Sequence, residues 1–503
     1  MPLGRAWAVA LLGLDGRLVE VEADLGGGLP GVKMVGLPDA GLREAKDRVR
    51  SAIRNSGQHW PEEKITLGLF PANLPKLGSG YDLAIAVAVL ASAGKVPATR
   101  LLGTVLLGEL ALDGRVREVR GVLPGLLAAR NAGIKRAIVP KHSLVEAALV
   151  DGLEIYGAAR LRDVVAWLEG ENALIRPGPL TEGELPKVSD LADVLGQPEA
   201  RWALEVAAAG GHHLLLSGPP GVGKTMLAKR LPGLLPLLGL EEALEVTAVH
   251  SVSGKLSPTS PLIRVPPFVA PHHSVSESAL IGGGSGIAQP GLITLAHRGV
   301  LFLDEAAEFG GQRLDSLRTA LEEGEVRIAR SRGSVCYPAR FQLVLATNPC
   351  PCAPPRESDC SCSPAERRRY LGRLSGPLLD RVDLRVRLRP MTAMNTSEAS
   401  EPEPTEVVRK RVLAARDRAA ARWSEQGWKT NAEVPGPVLR RDFVLPAETT
   451  ALLDRSLERG TVTARGADRC LRIAWTLADL AEAAAPDADH VAAALEFRDR
   501  RAA

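Results

Sequence analysis

The segment Gly218-Pro219-Pro220-Gly221-Val222-Gly223-Lys224-Thr225 constrains this chain more than any other. Its glycines allow successive backbone N–H groups to turn inward, and a lysine and a hydroxyl follow at the spacing a phosphate-binding loop needs. Such a loop works between a strand and a helix. His213-Leu-Leu-Leu-Ser217 precedes it as a short apolar strand, and Met226-Leu-Ala-Lys-Arg230 continues it as helix, whose N-terminal partial charge attracts phosphate. Lys224 would reach the β- and γ-phosphates of ATP, and Thr225 would hold Mg²⁺ through its hydroxyl.

Two further apolar strands end in polar groups. Gly299-Val-Leu-Phe-Leu-Asp304-Glu305 follows the loop by about 80 residues and ends in adjacent carboxylates. Asp304 would coordinate Mg²⁺ and Glu305 would polarise the attacking water. Phe341-Gln-Leu-Val-Leu-Ala-Thr-Asn348 ends in an amide that would orient that water, or else starts a turn before Pro349. Apolar strands alternating with helices predict a parallel α/β sheet for this region.

The chain of 503 residues has room for about three domains. Ile175 to Pro186 is Pro/Gly-rich, and Thr392 to Thr405 is polar, acidic and Pro-containing; neither carries an apolar period. They divide the chain into 1–174, an ATPase core at 187–390, and a helical tail at 406–503, where Val407–Arg422 and Arg469–Ala484 have helical apolar spacing. A span needs about 18–20 apolar residues. The longest run, Leu83 to Ala93, reads as a buried helix, and the expected location is the cytoplasm. The net charge of +3 excludes little, because a ring can concentrate positive charge in a narrow pore.

Several segments carry a resemblance. Pro266-Pro-Phe-Val-Ala-Pro-His272-His273, Gly282-Gly-Gly284, Pro290-Gly291, Leu295-Ala-His297 and the Asp304 strand resemble the magnesium-chelatase-like AAA+ ATPases. Asn348-Pro-Cys-Pro-Cys352 and Ser375-Gly-Pro-Leu-Leu-Asp-Arg381 are similar to the YifB/ComM branch of that family. Leu292, Ala353 and Val382 depart from its usual Glu, Gly and aromatic residue. The resemblance implies an AAA+ core with a helical lid and a hexameric ring. It implies Arg381 as an arginine finger reaching the neighbouring subunit's ATP, with Arg373 as the alternative. A fixed bidentate cation suits that charge neutralisation. It also implies a sensor on the lid at Arg465, within Thr463-Ala-Arg465-Gly-Ala-Asp-Arg469, and a pore hairpin before the Asn348 strand.

Glu322 to Val335 itself reads as two β-capable runs around a basic turn. Arg327, Arg330 and Arg332 there suit a phosphate backbone, although a solvated hairpin has the same pattern. Val252 to Arg264, with Lys255, is a weaker second insertion.

Cys350, Cys352, Cys360 and Cys362 form CxC-x7-CxC. Four thiolates could close around Zn²⁺, although the pairs are tighter than the usual CxxC and metal-free loop cysteines fit equally. Cys336 and Cys470 read as isolated core thiols.

In the first domain, Gly108 to Val119 and Gly121 to Lys141 resemble the proteolytic domain of the Lon family, which implies an α+β fold of ribosomal S5 domain 2 type. That family uses a Ser–Lys pair. Its nucleophile slot falls on Gly80, within Lys76-Leu-Gly-Ser79-Gly80-Tyr-Asp82, and its lysine slot on Pro124. Neither does that chemistry, so the expectation is a binding or oligomerisation platform. The resemblance implies a ComM-type branch-migration helicase acting on single-stranded or branched DNA. A metal-insertion ATPase of magnesium-chelatase type, or an ATP-dependent protease, are the alternatives.

Overall fold

The computed structural model describes residues 3–76, 78–179, 188–257, 261–284, 288–330, 333–390 and 402–498. Arg332 and parts of both linkers lie outside them.

The chain opens with a long antiparallel hairpin, Gly4–Leu12 against Asp15–Gly26, in register from Gly4 opposite Ala23 to Leu12 opposite Asp15. Period-2 alternation buries Ala6, Ala8, Val19 and Val21 on one face. Lys64–Phe70 adds antiparallel to Asp15–Gly26, and Gly31–Val35 adds beyond it. On the other flank Thr104–Leu106, Arg136–Pro140 and Glu154–Ala158 run parallel, giving a mixed seven-stranded sheet. Helix Asp82–Ser92 lies against the hairpin and is buried at every residue, as an all-round apolar run requires. The approach is so close that a Cβ on Gly4 would lie 2.0 Å from the Ala88 carbonyl oxygen. Only glycine fits there.

The second sheet has five parallel strands in the order Phe268–Val269, Val300–Leu303, Gln342–Thr347, Leu214–Ser217, Leu384–Arg387. Val300–Leu303, Gln342–Thr347 and Leu214–Ser217 are buried throughout, which is why they read as continuous apolar runs. Ligands of such sheets bind beyond the carboxyl ends of the strands. Ser217, Leu303 and Thr347 end side by side there, and each leads straight into a polar segment named above.

The tail is helical: Thr405–Arg422, Ala447–Glu458, Ala464–Leu480 and Ala488–Glu496. It shares one apolar cluster with the five-stranded sheet, so tail and sheet are packed together. Trp423 is fully buried in it, 4.6 Å from the Phe443 ring and 5.8 Å from that of Trp475. Its indole N–H donates to Asn431 Oδ1 at 2.8 Å.

The basic hairpin forms from Glu325–Arg330 and Gly333–Pro338. Val326, Ile328, Val335 and Tyr337 bury one face against the core, with Leu12 and Leu14 of the first hairpin packed alongside. Cys336 corrects the sequence reading: it is exposed, because alternation puts it on the outer face opposite Arg327. Cys470 is fully buried. Among the described residues no helix is long and apolar enough to cross a membrane.

Candidate nucleotide site

The phosphate loop leaves its strand at Ser217 and enters helix Lys224–Ala228. Gly221 (φ +79°) and Gly223 (φ +94°) take the left-handed conformations that turn the backbone inward. Gly223 caps the helix and, having no side chain, brings no acceptor of its own to the first-turn amides. Lys224 is 8% exposed, and its Nζ donates to the Gly218 carbonyl at 2.6 Å, the Pro219 carbonyl at 2.8 Å and Asn348 Oδ1 at 3.0 Å. Burial pushes its pKa down, and the Asp304 and Glu305 carboxylates act against that push.

Thr225 Oγ1 donates to Asp304 Oδ2 at 2.6 Å. A hydroxyl and a carboxylate at that separation are the hard oxygen pair that a magnesium site uses. Asp304 Oδ1 accepts the Glu305 amide at 3.0 Å. Glu305 takes φ +51°, a conformation costly for a residue with a Cβ, at the start of the turn Ala306–Phe309. Lys224, Thr225, Asp304, Glu305 and Asn348 therefore meet at one place, and the donor set suits a nucleotide triphosphate with its metal. His273 was not given a role by the sequence. Its Nδ1 lies 3.2 Å from Glu305 Oε2, and the only signal was the His272-His273 pair inside the quoted motif.

The arginines form a different group. Arg381 is buried, donates to the Pro377 carbonyl and pairs with Glu322. Burial pushes its pKa down, helped by the charges of Arg318, Arg465 and Arg469. Arg373 instead pairs with Glu308 at 2.9 Å and lies over the Tyr370 ring. Arg465 is exposed in the first turn of Ala464–Leu480 and makes no ion pair among the described residues. Arg469 is committed: it pairs with the fully buried Asp383. Asp383 also accepts the His213 amide at 2.9 Å. Burial opposes its ionisation, but Arg469, by charge and hydrogen bond, together with the His212 and His213 rings holds it below the carboxylate range. This knot joins the helical tail to the sheet, and the sequence reading missed it because its parts lie about 170 and 86 residues apart.

Family models cover most of the chain: "Subunit ChlI of Mg-chelatase" at residues 21–143, "Magnesium chelatase, subunit ChlI" at 190–396, and the ChlI C-terminal model at 402–498. The YifB protein of Escherichia coli is 43% identical over 97% of this chain and 96% of its own length. The competence protein ComM of Haemophilus influenzae is 40% identical over 99% and 98%. The chain belongs to the YifB/ComM magnesium-chelatase-like family. An uncharacterized protein of Mycobacterium tuberculosis is 57% identical over 99% of both chains. These likenesses and the site support an AAA+-like ATPase of this family, for which ATP and Mg²⁺ are the fitting ligands.

Within that family Ala353 stands where glycine is usual, and its φ is +44°, a conformation glycine adopts without strain. It lies in the cysteine loop. The Sγ atoms of Cys350 and Cys352 are 3.4 Å apart, those of Cys352 and Cys360 3.5 Å, and those of Cys360 and Cys350 3.4 Å. With Cys362, all four lie within 4.8 Å of one another. Thiol hydrogen bonds, led by that of Cys362, hold Cys352 down at about 6.

Gly80 lines a cavity of about 430 Å³ with Ser79 and Glu109, whereas Pro124 lines a different one of about 790 Å³. Ser79 Oγ donates to Glu109 Oε2. Lys76 is fully buried and donates to the Pro71 carbonyl. Lys255 is exposed, and Arg264 accepts the Leu238 amide through its carbonyl.

Proposed function

We propose that this chain is the subunit of a hexameric AAA+ motor that hydrolyses ATP and moves DNA, acting as a ComM-type branch-migration helicase in natural transformation and homologous recombination. One observation carries the motor: Lys224, Thr225, Asp304 and Asn348, drawn from three adjoining strand ends, meet through direct hydrogen bonds. The DNA half is supported by likeness to a competence protein along the whole chain and by the exposed Arg330 at the hairpin tip.

When bound, ATP with Mg²⁺ supplies the phosphoryl group and the negative charge to be neutralised. Lys224 would exchange its carbonyl partners for phosphate oxygens at little cost, since its amine is already desolvated. Thr225 and Asp304 would hold the metal. Glu305 would take up the proton of the attacking water, with Asn348 orienting that water and His273 fixing the Glu305 carboxylate. Arg381 would act on the neighbouring subunit's site, leaving Glu322 for phosphate; Arg465, exposed beside it, would serve as the lid sensor.

In this reading residues 187–390 are the ATPase core, 406–503 its helical lid, and 1–174 a Lon-like platform. With Gly80 and Pro124 in the catalytic slots and Ser79 facing a carboxylate, that platform binds or assembles rather than cleaves. A metal-insertion motor is the second reading, favoured by family models that all describe magnesium-chelatase subunit ChlI. ATP turnover and oligomer size measured with and without single-stranded and branched DNA separate the two. Turnover rising severalfold on DNA, with assembly to six subunits, is expected; indifference to every DNA tested would sink the DNA motor.

A further inference from the structure

Four cysteine sulfurs converge two residues beyond Asn348, and no part of the ATP chemistry uses them. Their geometry limits what they do. Sulfurs 3.4–3.5 Å apart are not disulfides, which need about 2.05 Å. A tetrahedral ion with Zn–S bonds of about 2.3 Å places its sulfurs roughly 3.8 Å apart, close to what is seen here. An iron–sulfur cluster carries several irons and bridging sulfides between its ligands. A quartet wholly within 4.8 Å leaves room for one ion. An all-thiolate tetrahedral set with no open position is the one structural zinc uses.

The surroundings say what the ion would hold. Cys350 is buried, and the Ala353 amide donates back to its carbonyl at 3.3 Å. At the other end Cys362 abuts Ser363, whose hydroxyl caps helix Pro364–Leu371 in a reciprocal box with Glu366. That helix returns Tyr370, buried, into the apolar cluster that also holds Leu343 and Leu345 of the strand leading to Asn348. The cysteines thus close the loop that starts at Asn348 and comes back beside it.

We propose that Cys350, Cys352, Cys360 and Cys362 bind one Zn²⁺ as a closed tetrathiolate, and that this knot positions Asn348 against Lys224. The metal half stands on the quartet alone; the positioning half rests on the ATPase reading. Without the ion, only hydrogen bonds between the thiols tie the quartet together, the loop loosens, and Asn348 loses the backbone brace behind it.

The test uses the full chain purified without added metal. Metal analysis is expected to return about one zinc per chain, and the Co²⁺-exchanged protein to show thiolate-to-cobalt charge transfer with visible bands of tetrahedral cobalt. Cys362→Ser should lose both; Cys362→His, which keeps a ligand, should retain metal; Cys336→Ser should behave as wild type. Less than about a tenth of an equivalent of zinc, with no cobalt bands, overturns the site. For the positioning half, Cys362→Ser is expected to lower kcat about 10-fold or more with little change in KM for ATP, and Cys362→His to recover most of it. A zinc-free Cys362→Ser that turns over at the wild-type rate overturns that half. Metal content is read without turnover, so a chain with zinc but no ATPase sinks the motor and leaves the site standing.

Discussion

Lys224 and Lys76 are both buried lysines, and burial lowers the pKa of each. Their surroundings differ. Lys224 is held by two carbonyls and an amide oxygen of loops at strand ends, with Asp304 and Glu305 near enough to act against burial. Lys76 meets one carbonyl, that of Pro71, and its pKa is lowered by burial alone. The first amine has partners an incoming anion can replace; the second only completes a backbone turn. What separates a working buried charge from a structural one is whether its partners can be exchanged.

The sharpest test is the same substitution at both sites. Lys224→Met is expected to lower ATP turnover at least 100-fold and to weaken nucleotide binding, because a preorganised cation on the phosphates is lost. Lys76→Met should leave turnover within about twofold. It should also stabilise the fold or leave it unchanged at pH 7, since a long apolar chain replaces a desolvated amine. Glu305→Gln, which keeps shape but not basicity, should bind ATP and turn over at least 100-fold more slowly. A Lys76→Met chain as inactive as Lys224→Met would break the comparison, and normal turnover in Glu305→Gln would remove that residue from the site.

A second contrast lies on one helix. Arg469 is locked to buried Asp383, whereas Arg465, one turn earlier, is exposed and unpaired among the described residues. Arg469→Ala leaves Asp383 buried without its counter-charge and should cost about 3–5 kcal/mol in urea unfolding. Arg465→Ala should cost under about 0.5 kcal/mol yet slow turnover. Equal loss of stability in the two would end the distinction.

The histidines beside that knot add a pH dependence. Burial lowers His212 and His213 to about 4, and His213 Nδ1 accepts the Leu343 amide at 3.0 Å. As pH falls from about 6.5 the unfolded chain takes up protons there, and the folded chain does not until near 4. Stability should therefore decline across that window, by up to about 1.4 kcal/mol per pH unit for each histidine. A urea midpoint flat from pH 6.5 to 4.5 would show that these rings are not held neutral.

These contrasts also show what the sequence could say. The phosphate loop, the Asp304-Glu305 pair and Asn348 were legible because local chain order makes them: an apolar strand buried on both faces announces where its last residue will be. Leu83 to Ala93 was legible as a buried helix for the same reason. Asp383 with Arg469 was not, since that pairing is fixed by how the helical tail packs on the sheet. Cys336 went wrong because an isolated cysteine carries no pattern, and only the hairpin register decides which face it takes.

The smallest effect expected is at the basic hairpin, where the contrast recurs between Arg327 and Arg330. Arg327 donates to Glu325 at 2.7 Å, so its charge is already matched. Arg330 is exposed at the end of its strand, opposite Gly333, with no ion pair among the described residues. If DNA passes this tip, Arg330 is the guanidinium free to meet a phosphate. Arg330→Ala should then flatten the slope of log affinity against log salt by about 0.7 on single strands. The weakening should be alike for all sequences, because backbone contacts carry no base information. Arg327→Ala should leave the slope nearly unchanged, since a cation already paired with Glu325 displaces no counterion from DNA. DNA affinity measured from low to moderate salt for both variants reads this directly. Equal flattening would mean that the Glu325 pair opens on DNA, and no change in either would move the DNA path away from this hairpin.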